Sequence, residues 1–221
     1  MYAKQKVFDF LDKIQLIRRK SIAKKQAKRL QNRDFTLISN NCNGGVLLKE
    51  LGVRFNSQFV NLSISAKDYV EYLQDFDHYN NMELSFLEDT SVPYPIGVLG
   101  NLRINFVHFK SREEAKLKWD ERKKRINKEN MFIIFTDQEE CTEEQIRMFD
   151  KLPYGNKIVF TRKEYNDIKS AVFVKKYSDN PKGVYMFLGF KNIFSSQRNY
   201  DVFDFVSWFN GERNLSKLMK E

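Results

Sequence analysis

From residue 35 onward, short apolar runs alternate with stretches of helical period. Phe35-Thr36-Leu37-Ile38-Ser39 reads as a strand, and residues 46–51 as a short helix ended by Gly52. Residues 59–64 read as a second strand. Ser65 then caps a helix to about Phe76, with Tyr69, Val70, Leu73 and Phe76 on one face. Residues 82–87 form a third strand segment, and Pro93 and Pro95 break the chain. Residues 96–99 and 102–109 predict a hairpin around Gly100-Asn101. Two capping boxes, Ser111-Arg112-Glu113-Glu114 and Thr142-Glu143-Glu144-Gln145, open helices to about Asn127 and Leu152. Residues 131–136 and 157–161 are buried-type strands. Residues 172–176 and 184–190 suit a late β pair, and 202–209 a terminal helix, although Phe203, Phe205 and Trp208 also suit a strand. This alternation predicts one α/β domain over 34–221, a three-layer α/β/α fold with a mixed, largely parallel sheet.

Residues 1–33 follow a different pattern. Val7, Phe10, Leu11, Ile14 and Ile17 recur at helical spacing with Lys and Arg between them, and the segment has no Pro or Gly. It holds eleven Lys/Arg against two acids, Asp9 and Asp12, while residues 34–221 hold 27 of each sign. The net charge of +9 is therefore a property of an N-terminal basic amphipathic helix. Three readings fit such an arm. It can lie on an anionic membrane leaflet, pack on the body with a solvated basic side, or bind a phosphate backbone. The balanced body carries no matching basic face and no nucleic-acid fold signature, which argues against nucleic acid.

Composition narrows the classes. Hydrophobic residues at 42% and aromatics at 14% exclude a disordered chain. Two Cys and two His exclude a disulfide scaffold and a multi-histidine metal centre, so no metal site is expected. No apolar run reaches spanning length, and the start lacks a secretory h-region. The expected location is cytoplasmic, with the arm peripheral on the inner membrane face.

Ligands of open α/β sheets bind beyond the carboxyl ends of the strands, where loops share one crevice. Three segments qualify. Ser39-Asn40-Asn41-Cys42-Asn43-Gly44-Gly45 packs a hydroxyl, three carboxamides, a thiol and two glycines between a strand and a helix. Ser39 or Cys42 suits a nucleophile if a base is near, and Asn40, Asn41, Gly44 and Gly45 suit substrate or oxyanion binding. A plain strand-to-helix turn satisfied by Asn side chains is the alternative. His108 shares a strand face with Ile104 and Phe106, as a base or as a core residue. Thr136-Asp137-Gln138-Glu139-Glu140-Cys141 supplies carboxylates after the strand 131–136, and Asp137 suits orienting His108, binding a sugar hydroxyl, or capping the following helix. Cys42 and Cys141 fall at the same sheet edge, where free thiols are expected in a reducing compartment. On the helix 111–127, Arg122 follows Trp119 by three residues, and Arg125 follows Arg122 by three. They suit a sugar platform or a solvated ion-paired face.

These segments, with Tyr94-Pro95-Ile96-Gly97, Val107-His108-Phe109-Lys110-Ser111, Lys118-Trp119, Arg125-Ile126-Asn127, Thr136-Asp137, Cys141-Thr142, Phe149-Asp150-Lys151-Leu152-Pro153-Tyr154 and Asn156-Lys157-Ile158-Val159-Phe160, resemble a bacterial family. It is the group of exopolysaccharide-biosynthesis proteins otherwise filed as a domain of unknown function. The resemblance covers roughly 34–210 and leaves the arm outside. It implies a three-layer α/β fold and a place in capsule or exopolysaccharide gene clusters, with no assigned reaction or catalytic residues. Two departures stand out: Asn43 where the family often has Trp, and Asn101 where it often has an acid. The combined expectation is a surface-polysaccharide enzyme transferring a group, such as an acyl group, to a sugar hydroxyl of a lipid-linked or nascent glycan. In that scheme His108 is the base, Asp137 orients it, and the Ser39–Gly45 turn is the nucleophile or oxyanion site. An acyl donor such as acetyl-CoA, or a nucleotide sugar, would be the co-substrate. The alternatives are a glycosyltransferase and a non-catalytic glycan-binding or assembly protein.

Overall fold

The computed structural model describes residues 2–88, 91–138, 140–185 and 187–220, with side chains described from residue 13. In chain order the elements are α1 (Tyr2–Arg29), β1 (Thr36–Ser39), α2 (Asn43–Leu51), β2 (Ser63–Ile64), α3 (Ala66–Gln74), α4 (Phe76–Asn81) and β3 (Ser85–Phe86). Then come β4 (Ile96–Leu99), β5 (Leu102–Asn105), α5 (Arg112–Lys123), β6 (Met131–Thr136), α6 (Glu143–Asp150), β7 (Lys157–Thr161), β8 (Ala171–Phe173), α7 (Phe205–Phe209) and α8 (Leu215–Leu218). The fold is α/β. The chain divides into two compact units, one of Met1–Arg33, Val46–Arg54 and Met186–Glu221, the other of Asp34–Gly45 and Phe55–Tyr185.

The larger unit holds both sheets. β1, β6, β7 and β8 form a parallel sheet in the order β1-β6-β7-β8, and the short strands form an antiparallel sheet in the order β2-β5-β4-β3. The hairpin β4–β5 therefore builds its own sheet instead of edging the parallel one. Its turn needs Gly100, which sits at φ +59°. β6 is buried at every position, as expected of a parallel strand covered on both faces. Phe59, Tyr69, Tyr72, Phe106, Trp119, Phe135 and Phe149 are nearly solvent-free and belong to one core. The strand expected over 59–64 shrinks to two residues. Asn61 at φ +64° interrupts the extended run, and Val60 N–H turns back to Gln58 O at 2.8 Å. The strand expected over 102–109 stops at Asn105, because Phe109 N–H closes a turn onto Phe106 O at 3.0 Å. Residues 171–173 enter the parallel sheet beside β7, and no strand forms over the described residues of 184–190.

The smaller unit is built on α1. The expected stripe residues Val7, Phe10 and Leu11 lie outside the described side chains, and Ile17 is 66% exposed. The face that is buried runs through Gln15, Arg19, Ala23 and Leu30, spaced four, four and seven apart. Gln15 Nε2 donates to Asn192 O and Ser195 O, both at 2.7 Å. Arg19 is 3% exposed. Its Nε donates to Glu50 Oε2 at 2.9 Å, its Nη2 to the Tyr200 hydroxyl at 2.7 Å, and its Nη1 to Asp201. Arg198 Nε adds a bond to Glu50 Oε1 at 2.9 Å. Burial alone would raise the Glu50 carboxyl, but the hydrogen bonds from Arg19, Tyr200 and Arg198 prevail and hold it below its ordinary range. The C-terminus of α1 is closed by Asn210 Nδ2, which donates to Arg29 O at 2.9 Å.

Candidate functional site

The ladder of β1 and β6 ends at the pair Ser39 and Ile134. Beyond it, the Asn40 side chain continues the pairing. Its Nδ2 donates to Thr136 O at 3.2 Å, and its Oδ1 accepts from Thr136 N at 3.1 Å. A carboxamide carries a donor and an acceptor much as a peptide group does, so it replaces the next strand residue. Asn41 Oδ1 accepts from Asn43 N at 3.0 Å, an Asx turn that opens α2, and Asn41 Nδ2 donates to Gln138 Oε1 at 3.1 Å. Asn43 Nδ2 donates to Thr136 Oγ1 at 3.3 Å. All three carboxamides of one turn thus reach the exit of β6. The glycines permit this closeness: a Cβ on Gly44 would lie 3.0 Å from Ser39 Cβ, and one on Gly45 3.0 Å from Val60 Cγ1.

The turn opens on a cleft of about 270 Å³ whose lining includes Asn40, Ser65, Lys67, Gln138, Glu140 and Cys141. At Lys67 and Gln145 this cleft meets a second hollow of about 540 Å³ between α3 and α6. The first turns of both helices border it. Their cap side chains are engaged locally, since Ser65 Oγ accepts from Asp68 N at 3.0 Å and Thr142 Oγ1 from Gln145 N at 3.3 Å.

The expected nucleophiles are not activated. Ser39 is fully buried, and its hydroxyl donates to Asn41 Oδ1 at 3.4 Å, which is no base. Cys42 and Cys141 are both free thiols. Burial raises the Cys42 thiol. Burial, then the nearby Asp137 charge, pushes Cys141 up to about 12.

Asp137 is 2% exposed. Its Oδ2 accepts from Arg162 N at 3.2 Å and lies 3.7 Å from Arg162 Nε, while Oδ1 has no hydrogen-bond partner among the described residues. Burial raises its pKa against the pull of Arg162. Residues 180–185 lie across it. Val184 N donates to Asp137 O at 2.5 Å, and Arg162 Nη1 donates to Pro181 O at 2.7 Å. Gly183 sits at φ +69°, where a Cβ would meet Asp137 O at 2.2 Å.

His108 is exposed in the turn after β5, the Asp137 carboxylate faces Arg162, and no hydrogen bond among the described residues joins His108 to Asp137. Trp119 is 2% exposed and wedged between Phe59 and Phe106, with ring centroids 5.8 and 5.9 Å away, so neither face is open to a sugar. Arg122 donates to Val60 O at 3.2 Å and lies over the Phe55 ring, and burial lowers its pKa. Arg125 donates to Phe55 O at 3.3 Å and pairs with Glu121. The three hold residues 55–60 against α5. Asn43 and Asn101, the two departures, are both engaged. Asn101 Nδ2 donates to Glu71 Oε1 at 2.6 Å, where an acid would repel.

Gln138 and Glu140 fall in the strand-exit segment Thr136–Cys141 that the sequence marks, whereas Lys67 and Gln145 line the cleft with no site role read from the sequence. Their signal was positional: Ser65 and Thr142 mark helix starts soon after β2 and β6, so the first turns of α3 and α6 fall at strand exits. Among the described residues no helix is long and apolar enough to cross a membrane, and no group of three or more His, Cys, Asp or Glu is placed to hold a metal ion.

Residues 13–210 match the family described as Domain of unknown function (DUF1919). The match begins inside α1, so part of the basic helix belongs to the family, contrary to the boundary at residue 34. A Haemophilus influenzae protein bearing the name "Uncharacterized protein" is 41% identical over 185 residues, 83% of this chain and 87% of that protein. With the match running from α1 into the segment after α7, the chain belongs to the DUF1919 family of bacterial proteins.

Proposed function

We propose that the cleft beyond β1 and β6 binds a glycan precursor and that the protein transfers a group to one of its hydroxyls during surface-polysaccharide assembly. The observation that carries the binding half is the carboxamide lining. Gln138 and Gln145 line the cleft and Asn41 holds the Gln138 oxygen in place, while Asn40, whose carboxamide is used on Thr136, fixes the turn behind them. Neutral groups that both donate and accept match the hydroxyls of a sugar. The polysaccharide context rests on the family resemblance of the site segments. For the transfer, Glu140 is the carboxylate that lines the cleft among the described residues. In the scheme the acceptor hydroxyl oxygen attacks the carbonyl of an acyl thioester, Glu140 takes the hydroxyl proton, and the donor's thiolate leaves. Glu140 thus takes the role that the sequence gives to His108.

One observation favours a second reading, a non-catalytic glycan-binding protein. Among the described residues Ser39, Cys42 and Cys141 each lack a base, and both thiols are held protonated. A single experiment separates the two. The surface polysaccharide of a strain lacking this gene is compared by NMR after complementation with wild type, Asn41→Ala or Glu140→Gln. A full-length polymer missing one substituent, unrescued by either variant, supports transfer. Rescue by Glu140→Gln but not by Asn41→Ala supports binding alone. An unchanged polymer in the deletion strain removes the polysaccharide reading.

A further inference from the structure

The outward face of α1 carries an ordered set of charges. Lys13, Ile17, Lys20, Lys24 and Lys28 are spaced four, three, four and four apart, which puts them on one stripe about 22 Å long. All five are exposed, and Ile17 is 66% accessible. None of these lysines forms an ion pair with a described residue, although ion pairs are common elsewhere in the chain. No acid occurs between Asp12 and Asp34 to offset them. Beside the stripe, α1 and α2 enclose a groove of about 480 Å³. Its apolar wall is Leu16, Ala23 and Val46, its rim carries Lys20, Lys24 and Lys49, and it also holds Glu50, whose charge is met by Arg19 and Arg198 in the same lining. Within the same unit, Ile193 and Phe194 are 54% and 73% exposed on the loop that Gln15 ties to α1.

We propose that this unit docks on an anionic phospholipid leaflet. The lysine stripe lies along the headgroups, Ile17 enters the interface, and the α1–α2 groove seats one lipid phosphate against Lys20, Lys24 and Lys49. The argument is charge complementarity joined to apolar exposure. Unpaired lysines around an exposed isoleucine, next to a groove with an apolar wall and a cationic rim, match a surface that offers phosphates above acyl chains. A nucleic acid would use the lysines but leaves Ile17, Leu16 and Phe194 without a role. The inference stands apart from the glycan-binding cleft and does not depend on it.

Deleting α1 would strip Arg19 from Glu50 and Asp201, so point substitutions in the full chain carry the test. Flotation is measured with vesicles of phosphatidylglycerol mixed with phosphatidylcholine, and with phosphatidylcholine alone. Wild type is expected to float only with the anionic vesicles. The triple variant Lys20→Ala/Lys24→Ala/Lys49→Ala is expected to weaken binding by about a hundredfold. Ile17→Ser, which leaves the charge intact, is expected to weaken it by about tenfold. A control of equal charge loss, Lys110→Ala/Lys163→Ala/Lys169→Ala, leaves binding unchanged. Equal loss in the control, no effect of Ile17→Ser, or tighter binding to a single-stranded RNA than to anionic vesicles would each overturn the proposal. All of the substituted residues are exposed, and a thermal melt of each variant confirms folding.

Discussion

Glu50 and Asp137 are both carboxylates taken largely out of water, one in each unit, and their surroundings treat them in opposite ways. Glu50 receives Arg19, Arg198 and the Tyr200 hydroxyl, and its pKa falls. Asp137 receives the Arg162 backbone and a 3.7 Å ion pair on one oxygen, keeps the other unpartnered, and its pKa rises. A buried charge costs little only when its oxygens are met by donors. The smaller unit meets that condition and locks three separated chain segments together. The larger unit leaves it unmet beside its polar cleft, under the strap of residues 180–185. Full satisfaction makes Glu50 a structural joint, whereas Asp137 at a strand exit keeps an electrostatic cost that its surroundings do not offset.

The largest expected effect tests the structural side of this contrast. Arg19→Met leaves Glu50 and Asp201 buried without their shared cation, and chemical denaturation is expected to show a loss of about 3–5 kcal/mol. A loss below about 1 kcal/mol would mean that the cluster is solvated in solution. Next is the strap. Gly183→Ala places a methyl group against the Asp137 carbonyl at a left-handed φ, with an expected cost of about 3 kcal/mol. Gly155→Ala, where a Cβ meets nothing, serves as the neutral control.

The pH dependence sharpens the comparison further. Glu50 is depressed below its ordinary 4.5, so its contribution is present above that value and is lost as pH falls through the lower folded pKa. Glu50→Gln is expected to lower stability at pH 7 and to flatten the loss between about pH 5 and pH 3. Asp137 is raised above 3.8, so its ionised form favours unfolding. Its contribution is most favourable below 3.8 and declines as pH rises through the folded pKa. Asp137→Asn is therefore expected to match or exceed wild-type thermal stability at pH 7, and the advantage to vanish near pH 3. A clear loss at pH 7 would show that the Arg162 pair outweighs burial. The smallest effect concerns the thiols. With Cys141 pushed up to about 12 and Cys42 raised, native protein is expected to react with iodoacetamide at pH 7.5 far more slowly than unfolded protein.

The local elements of the fold were legible where chain-local chemistry decides them. The Thr142 capping box forms with both of its bonds, Ser65 and Ser111 accept from the third residue of their helices, and the Gly100-Asn101 turn joins β4 to β5. What escaped the sequence depends on partners distant in the chain. The buried face of α1 follows Arg19, whose partners Tyr200 and Asp201 are 181 and 182 positions away, so the apolar spacing pointed to another stripe. Trp119 and Arg122 look like a sugar platform on the helix surface until Phe59, Phe106 and Val60 are folded over them. At the candidate site, the density of small polar residues in Ser39–Gly45 marks the turn that borders the cleft. It did not show that Asn40 continues a strand or that Ser39 faces inward, because both depend on the register with β6.

The arrangement of the smaller unit also sets an order of events during synthesis. α1 leaves the ribosome before either sheet, yet Arg19 meets Asp201 only after 182 further residues have been added. At about 5–20 residues per second, that delay is on the order of ten seconds or more. Throughout it, a helix rich in lysine and arginine has Glu50 within reach but lacks Asp201 and the Tyr200 hydroxyl, which complete the cluster around Arg19. The larger unit has nearly all of its strands available by residue 173, well before this happens. A helix made before both sheets gains its Asp201 partner after them, and whatever shelters it meanwhile acts on a nascent chain whose strands have all been made.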